Sequence, residues 1–250
     1  MNKTIKIFSV LLGILLPIII FISGIEAAVF DKAFYMDQMG KNKVTENTGI
    51  YPPDMELVVN EIISYLKGDR ADFDIKARLA PENAKNVVTS ESIFNEKEIT
   101  HMDDVRDLLL FFLGLRDAAL ILALIAFLIL LKYNWQAIIK ALFYGSATFM
   151  VVFLVVGASF IFNFNDTFIL FHQLFFSNDL WLMDPSTDRL IWIVPEPFFF
   201  AMIGRMVIYI LVPLALTTLG TGLVLINEKK KYKLNNNITS NSNRGKHENS

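Results

Sequence analysis

Four apolar stretches, each long enough to cross a lipid bilayer, decide what this chain can fold into. A helix rises ~1.5 Å per residue, so about 20 apolar residues match a hydrocarbon layer ~30 Å thick. Residues 1–25, 108–131, 141–163 and 201–226 meet that requirement. The chain is also 54% hydrophobic and 13% aromatic, too apolar for a soluble 250-residue domain with an ordinary core. The fold class expected is an all-α membrane protein, with four transmembrane helices and a small extracytoplasmic cap of helices and short strands.

Lys3 and Lys6 precede the first apolar run, and Ala27 and Ala28 follow it, a layout shared with cleavable signals. The run exceeds the ~7–15 residues of a signal core, and residues 25–28 offer no small-x-small cleavage site, so it reads as an uncleaved anchor. Basic flanks are retained on the cytoplasmic side. Lys3, Lys6, Lys132, Lys140, Lys229, Lys230, Lys231 and Lys233 all fall on one face of a four-span layout. Both termini, the loop 132–140 and a disordered tail 227–250 are therefore expected inside. Residues 26–107, the cap, and 164–200, an aromatic loop, are expected outside. The cap carries seventeen acidic against ten basic side chains, which argues against nucleic acid as a partner. With no cysteine, the chain has no disulfide and no thiol for nucleophilic or metal chemistry.

Within the cap, two helices are legible. One covers residues 27–39 and ends at Gly40; the other starts after Pro52 and Pro53 and stops at Gly68, burying Met55, Val58, Val59, Ile62, Ile63 and Leu66 on one face. Extended pieces are expected at 73–79 and 87–94. The second and third spans, joined only by 132–140, must be antiparallel neighbours. Their outer ends meet, which brings His101 and His172 to the same membrane surface. Residues 166–176 read as an interfacial helix carrying His172 among Phe168, Phe171, Phe175 and Phe176. Residues 180–184 and 189–194 alternate around Pro185-Ser186-Thr187-Asp188, the pattern of a hairpin with a type I turn.

His101 is expected at a helix start, with Thr100 as N-cap and Asp103 completing a capping-box variant. Such a site disfavours imidazolium and leaves the ring available as a base near neutral pH. Asp104 shares its helix face. A surface histidine would be the plain reading of His101, and interfacial hydrogen bonding that of His172; His247, in the tail, is given no role. Arg116 and Asp117 interrupt the second span within snorkelling reach of the outer surface, and Arg205 enters the last span at similar depth. Either arginine could hold an anionic or carbonyl group, or simply pair with Asp117 or Glu196. Pro213 is a structural kink. His101 and His172 with Asp103, Asp104, Asp179, Asp184 or Glu196 could ligate a metal, but no ligand spacing supports it, and neither metal nor other cofactor is expected. There is no Gly-x-Ser-x-Gly elbow and no glycine-rich phosphate loop.

Two stretches are distinctive. The first is Thr100-His101-Met102-Asp103-Asp104-Val105-Arg106-Asp107-Leu108. The second runs Phe171-His172-Gln173-Leu174-Phe175-Phe176-Ser177-Asn178-Asp179-Leu180-Trp181-Leu182-Met183-Asp184-Pro185 and continues through Asp188-Arg189-Leu190-Ile191 to Pro195-Glu196. They resemble the lipoprotein intramolecular transacylase family of Gram-positive bacteria, over most of the chain apart from the tail. Where that family tends to Leu-Asp-Pro, this chain has Met183-Asp184-Pro185. The resemblance implies a plasma-membrane acyltransferase acting on diacylglyceryl-modified lipoprotein N-termini, with membrane lipid around it and no obligate protein partner. It would move an acyl chain from the glyceryl sn-2 ester to the cysteine's own α-amino group. The paired histidines of the family match His101 and His172, which implies acid/base roles for these two. Asp104, Asn178, Trp181, Asp184 and Glu196 carry over as motif residues, Asp179 sits among them, and Arg116 and Arg205 are candidates for electrostatic support. A metal-dependent membrane hydrolase and a non-enzymatic envelope assembly protein are the alternatives.

Overall fold

The computed structural model describes residues 2–79 and 90–247; within these, the side chains of 159–161 and 238–247 lie outside the description. The chain is mostly helical. Its elements are α1 (Lys3–Val29), α2 (Lys32–Lys41), α3 (Val44–Thr48), a 3-10 turn (Pro52–Asp54), α4 (Met55–Lys67), β1 (Lys76–Ala77), β2 (Glu91–Ser92), α5 (Glu96–Tyr133), α6 (Trp135–Phe162), α7 (Phe164–Phe175), α8 (Leu190–Ile193) and α9 (Glu196–His247). Helices α1, α5, α6 and α9 are long and apolar enough to cross a membrane, as the four apolar runs predict.

Contacts divide the chain into two compact units. The first comprises Met1–Ile20, Ala118–Leu154 and Leu211–Ser250. Its core joins Leu12 of α1 to Ala123, Ala126 and Leu130 of α5 and Ala137, Ile138 and Ala141 of α6. Small side chains dominate because helices in lipid gain most from close van der Waals approach. Ala141 and Gly145 of α6 form a small-xxx-small pair against Gly13 of α1. A Cβ on Gly145 would collide with the carbonyl of Gly13, so only glycine allows the two backbones to meet. The predicted loop 132–140 shrinks to Asn134, whose side-chain oxygen accepts the Ala137 N–H at 3.1 Å and so caps α6. A cap at the junction lets both helices run to their last residue, which is why the antiparallel pair needs no longer link.

The second unit comprises Phe21–Asp117 and Val155–Ile210. α4 begins after Pro52 and Pro53, as expected, and stops where Gly68 takes a left-handed φ of 81°. Its apolar face, Met55, Val58, Val59, Ile62, Ile63 and Leu66, is buried as predicted and packs with α2, the Phe73–Ile75 segment, Ile93 and Phe94. β1 and β2 pair antiparallel, Lys76 opposite Ser92 and Ala77 opposite Glu91, and Ile50 bridges Leu79. Part of the expected second extended piece, residues 87–89, lies outside the described residues.

Four sequence expectations need correction. The helix expected over 27–39 is split. α1 runs on to Val29, and Asp31 then caps α2 by accepting the Phe34 N–H at 3.0 Å. The helix that carries the second span is longer than the span expected from 108, because α5 starts twelve residues earlier at Glu96. The hairpin over 180–194 is absent. The turn at Asp184–Asp188 is present, with the Asp188 N–H bonded to the Asp184 carbonyl at 2.8 Å, but residues 190–193 are helical. Carboxylates there take the backbone donors that a strand ladder would need. Finally, α9 continues through Lys229–His247 where a disordered tail is expected. Extending an existing helix requires no new nucleus, and the lysine-rich stretch favours it.

The Gly13–Gly145 contact yields a direct test. Gly145→Val should lower the stability of the purified protein by about 1–3 kcal/mol, the usual cost of overpacking. Gly220→Ala, whose added Cβ meets nothing within 4 Å, should leave it unchanged. Thermal unfolding in detergent reads both.

Candidate functional site

The site is assembled by the start of α5. Asn95 and Glu98 form a reciprocal capping box: the Glu98 N–H donates to Asn95 Oδ1 at 3.0 Å, and the Asn95 N–H donates to Glu98 Oε2 at 2.8 Å. The expected cap at Thr100 is therefore displaced, and the Thr100 hydroxyl instead donates to the Glu96 carbonyl at 2.8 Å. His101 sits in the second turn. It is outside the membrane-crossing part of α5, since seven of the twelve residues from Glu96 to Asp107 are charged and could not lie in hydrocarbon.

Glu98 is 1% exposed. Burial pushes its carboxyl up, against the bonds it accepts from the amides of Asn95 and Leu190. The Leu190 bond, 2.5 Å long, reaches across 92 residues of sequence. Beside it lies Asp188, 3% exposed. Asp188 accepts from Lys97 Nζ at 2.9 Å, Asn95 Nδ2 at 2.9 Å, the Asp184 N–H at 2.7 Å and the Thr187 hydroxyl at 2.9 Å. Burial alone would raise its carboxyl. Those bonds, led by Lys97, outweigh it and hold the group well below the usual carboxylate range. Two buried carboxylates thus fasten the 184–190 loop to the first turn of α5.

That loop completes the surroundings of His172. α7 runs Phe164–Phe175, close to the predicted interfacial helix, and His172 lies in its last turn. The rings of His101 and His172 are 6.2 Å apart between centroids, inclined by 33°. They are 7% and 8% exposed. Trp181 stacks on His172 at 4.8 Å, Phe168 lies 4.1 Å from it, and Phe176 contacts both histidines. Asn178 ties this wall to α5: its Nδ2 donates to Asp104 Oδ2 at 2.8 Å, and its carbonyl accepts the Trp181 indole N–H at 2.9 Å.

The two imidazoles differ chemically. His172 Nδ1 is 2.7 Å from the Phe168 carbonyl oxygen. A carbonyl only accepts, so Nδ1 carries the proton and Nε2 keeps the lone pair. Burial lowers its pKa while the Phe168 bond opposes the shift. The C-terminal end of α7 also favours a positive ring. His101 is near the opposite kind of helix end. Burial, then the neighbouring charge of His172, push it down to about 4, with Asp104 opposing. Its Nδ1 is buried without a hydrogen-bond partner. The pair therefore offers one ring whose Nε2 lone pair can take up a proton, and one that stays neutral with an unfilled polar atom.

The other predicted residues divide clearly. Asp104, Asn178 and Trp181 surround the histidines. Asp184 organises the turn, its Oδ1 accepting the Ser186 N–H at 2.8 Å. The Asp179 carbonyl accepts the Leu182 N–H at 3.1 Å, and Glu196 opens α9. Arg116 pairs with Glu26 and Asp117, and Arg205 pairs with Asp31 and lies over the Phe34 and Tyr209 rings, so carboxylates take both guanidiniums. Of the two partners expected for them, Asp117 pairs with Arg116, while Glu26 and Asp31 stand in place of Glu196. Among the described residues no three His, Cys, Asp or Glu side chains cluster as a metal site. Sequence reasoning missed Asn95, Lys97, Glu98 and the anchoring role of Asp188. The Asn95-x-x-Glu98 spacing was the available signal.

A family model described as lipoprotein intramolecular transacylase matches residues 10–199. Comparison with curated protein sequences gives no match. Among solved structures, the fold is similar to the in meso structure of the integral membrane lipoprotein intramolecular transacylase of Bacillus cereus. The TM-score is 0.71 at 20% identity, over 92% of this chain and 100% of that one. Two variants of that protein, with one histidine replaced by alanine or by arginine, give 0.69 at 21% identity; each covers 91% of this chain and 96% or 95% of its own. At that identity the likeness is one of fold.

The carboxylate clamp predicts an acid-sensitive contribution to stability. A carboxyl held low in the folded state stabilises it above the unfolded pKa of ~3.9 and loses that contribution as pH falls further. Asp188→Asn should cost up to about 3 kcal/mol at pH 7, since it leaves Lys97 without its buried partner. It should also flatten the stability loss below about pH 4. Chemical denaturation across pH measures both.

Proposed function

The chain belongs to the lipoprotein intramolecular transacylase family, and from that premise we propose how His101 and His172 carry out the reaction. The enzyme is an integral membrane acyltransferase, and intramolecular transacylation of a lipoprotein is its chemistry. The substrate is a lipoprotein bearing a diacylglyceryl-cysteine at its N-terminus. The free α-amino group attacks the carbonyl of the sn-2 ester, an N–C bond forms, the C–O bond to glycerol breaks, and an N-acyl lyso product remains.

His172 acts as the base. Its Nε2 lone pair takes a proton from the attacking amine, and the Phe168 carbonyl with the end of α7 stabilises the imidazolium that forms. The same proton then passes to the departing glyceryl oxygen. His101 stays neutral, and its N–H donates to the oxyanion that develops on the ester carbonyl. The observation that carries this reading is the 6.2 Å separation of two buried rings, one with its Nδ1 held by the Phe168 carbonyl and the other with its Nδ1 unpartnered. Arg116 and Arg205, already neutralised by carboxylates, are weaker candidates for the oxyanion than His101.

No acyl-enzyme is needed. Amine and ester belong to one molecule, and holding them in a near-attack geometry supplies an effective molarity on the order of 10⁵ M or more. The surrounding Phe168, Phe171, Phe176 and Trp181 exclude the water that would otherwise hydrolyse the ester. The lysine distribution supports a site on the outer face, at the depth of the lipid glycerol, with both termini in the cytoplasm.

His101→Ala and His172→Ala should each lower transacylation by about 10²-fold or more, while leaving folding intact. Mass spectra of lipoprotein N-termini from expressing cells check this; lyso product at the unmodified level in either variant contradicts it. In a purified assay the rate should rise with pH up to ~7.7–8, where the substrate amine loses its proton. A second, steeper fall should set in only below the ordinary histidine value of ~6.5, because both rings are shifted down. An enzyme limb above that value would contradict the assignment.

A further inference from the structure

In the second unit, Lys32, Lys41, Lys43, Lys76 and Lys97 each reach a carboxylate at 2.6–3.8 Å. Lys67 is the lysine among the described residues there that does not. Its ammonium lies instead 5.2 Å from the centroid of the Phe30 ring. It stands in the last turn of α4, where the helix end favours a cation. Beside it opens a cavity of about 480 Å³, lined by Glu26, Ala27, Phe30, Lys67 and Leu113.

The order of groups along this groove is informative. Gly68 lies against Leu110 of α5, Leu113 lines the cavity one turn further, and Arg116, one turn beyond, is paired with Glu26. All three lie on one face of α5 by helical spacing. From the cap toward the apolar run, the groove therefore presents an ammonium without a carboxylate, an apolar wall and a guanidinium with a partly exposed carboxylate beside it. The apolar run of α5 follows in sequence. A phosphate above, ester carbonyls below it and acyl chains deepest is the order of a bilayer lipid. We infer that this groove binds a glycerophospholipid of the membrane, its phosphodiester at Lys67, its glycerol esters at Arg116 and its chains along α5. The site is separate from the histidine pair, whose ring contacts are Phe168, Phe171, Phe176 and Trp181. A lipoprotein substrate carries no phosphodiester and would not need Lys67.

The test uses the full chain, purified in detergent and stripped of lipid. Phosphatidylglycerol, diacylglycerol with the same chains, and inorganic phosphate are titrated separately, with bound species read by native mass spectrometry and stability by thermal unfolding. Phosphatidylglycerol should bind and stabilise. Lys67→Ala should weaken it roughly tenfold, as expected for loss of one charge-assisted bond, and Lys67→Arg should restore it. Leu113→Trp, which fills the groove but keeps the lysine, should also lose the lipid. Transacylation of a diacylglyceryl lipopeptide should be unchanged in Lys67→Ala. Equal phosphatidylglycerol binding by Lys67→Ala and the unmodified protein would overturn the proposal. So would diacylglycerol binding as well as the phospholipid, or inorganic phosphate alone reproducing the stabilisation. If Lys67→Ala instead raised the KM for lipopeptide with phospholipid binding intact, the groove would be a substrate site.

Discussion

Two carboxylates buried at the head of a long helix set the geometry on which the rest of the site depends. Glu98 and Asp188 sit where water cannot solvate them, and each is sustained only because donors converge on it from α5 and from a loop some ninety residues away. Removing a charged group's partner inside protein is costly, so the loop and the helix are held in one register. Asn178 and Trp181 lie in the same loop. Fixing it fixes the indole against His172, and the capping box fixes the turn that carries His101.

The electrostatic contrast between the histidines follows from backbone structure more than from nearby charges. One ring ends a helix and bonds a carbonyl of its own helix; the other lies near a helix start. In the proposed reaction, opposite dipole ends and different hydrogen bonding suit His172 to accept a proton and His101 to donate a hydrogen bond. Burial lowers both, which keeps them neutral and ready near physiological pH.

The sequence makes the four spans plain because twenty apolar residues in a row have few other uses. α4 is equally legible from its prolines, its glycine and its helical apolar spacing. The meeting of His101 and His172 follows from the short link between α5 and α6, although that link proves shorter still. What escapes is whatever depends on contacts between distant residues. The alternation in 180–194 looks like a hairpin until Glu98, far away in sequence, takes the Leu190 amide. Thr100 looks like a cap until Asn95 and Glu98 are seen to bond reciprocally. Pairing of Arg116 with Asp117 is legible from their adjacency, whereas Glu26 and Asp31, far away in sequence, are partners of Arg116 and Arg205 that the sequence does not reveal. Residues 227–247 have nothing to bury, yet the helix before them needs only local bonds to continue.

The central claim is that His172 is a neutral ring with its proton on Nδ1 and its lone pair on Nε2, beside a neutral His101. Nitrogen and carbon NMR of histidine-labelled protein in detergent, titrated from neutral to acid pH, observes tautomer and protonation directly. The account predicts the Nδ1–H form for His172 and both rings titrating below the ordinary value of ~6.5, His101 lowest. An Nε2–H tautomer for His172, or either ring still protonated at pH 7, would contradict it.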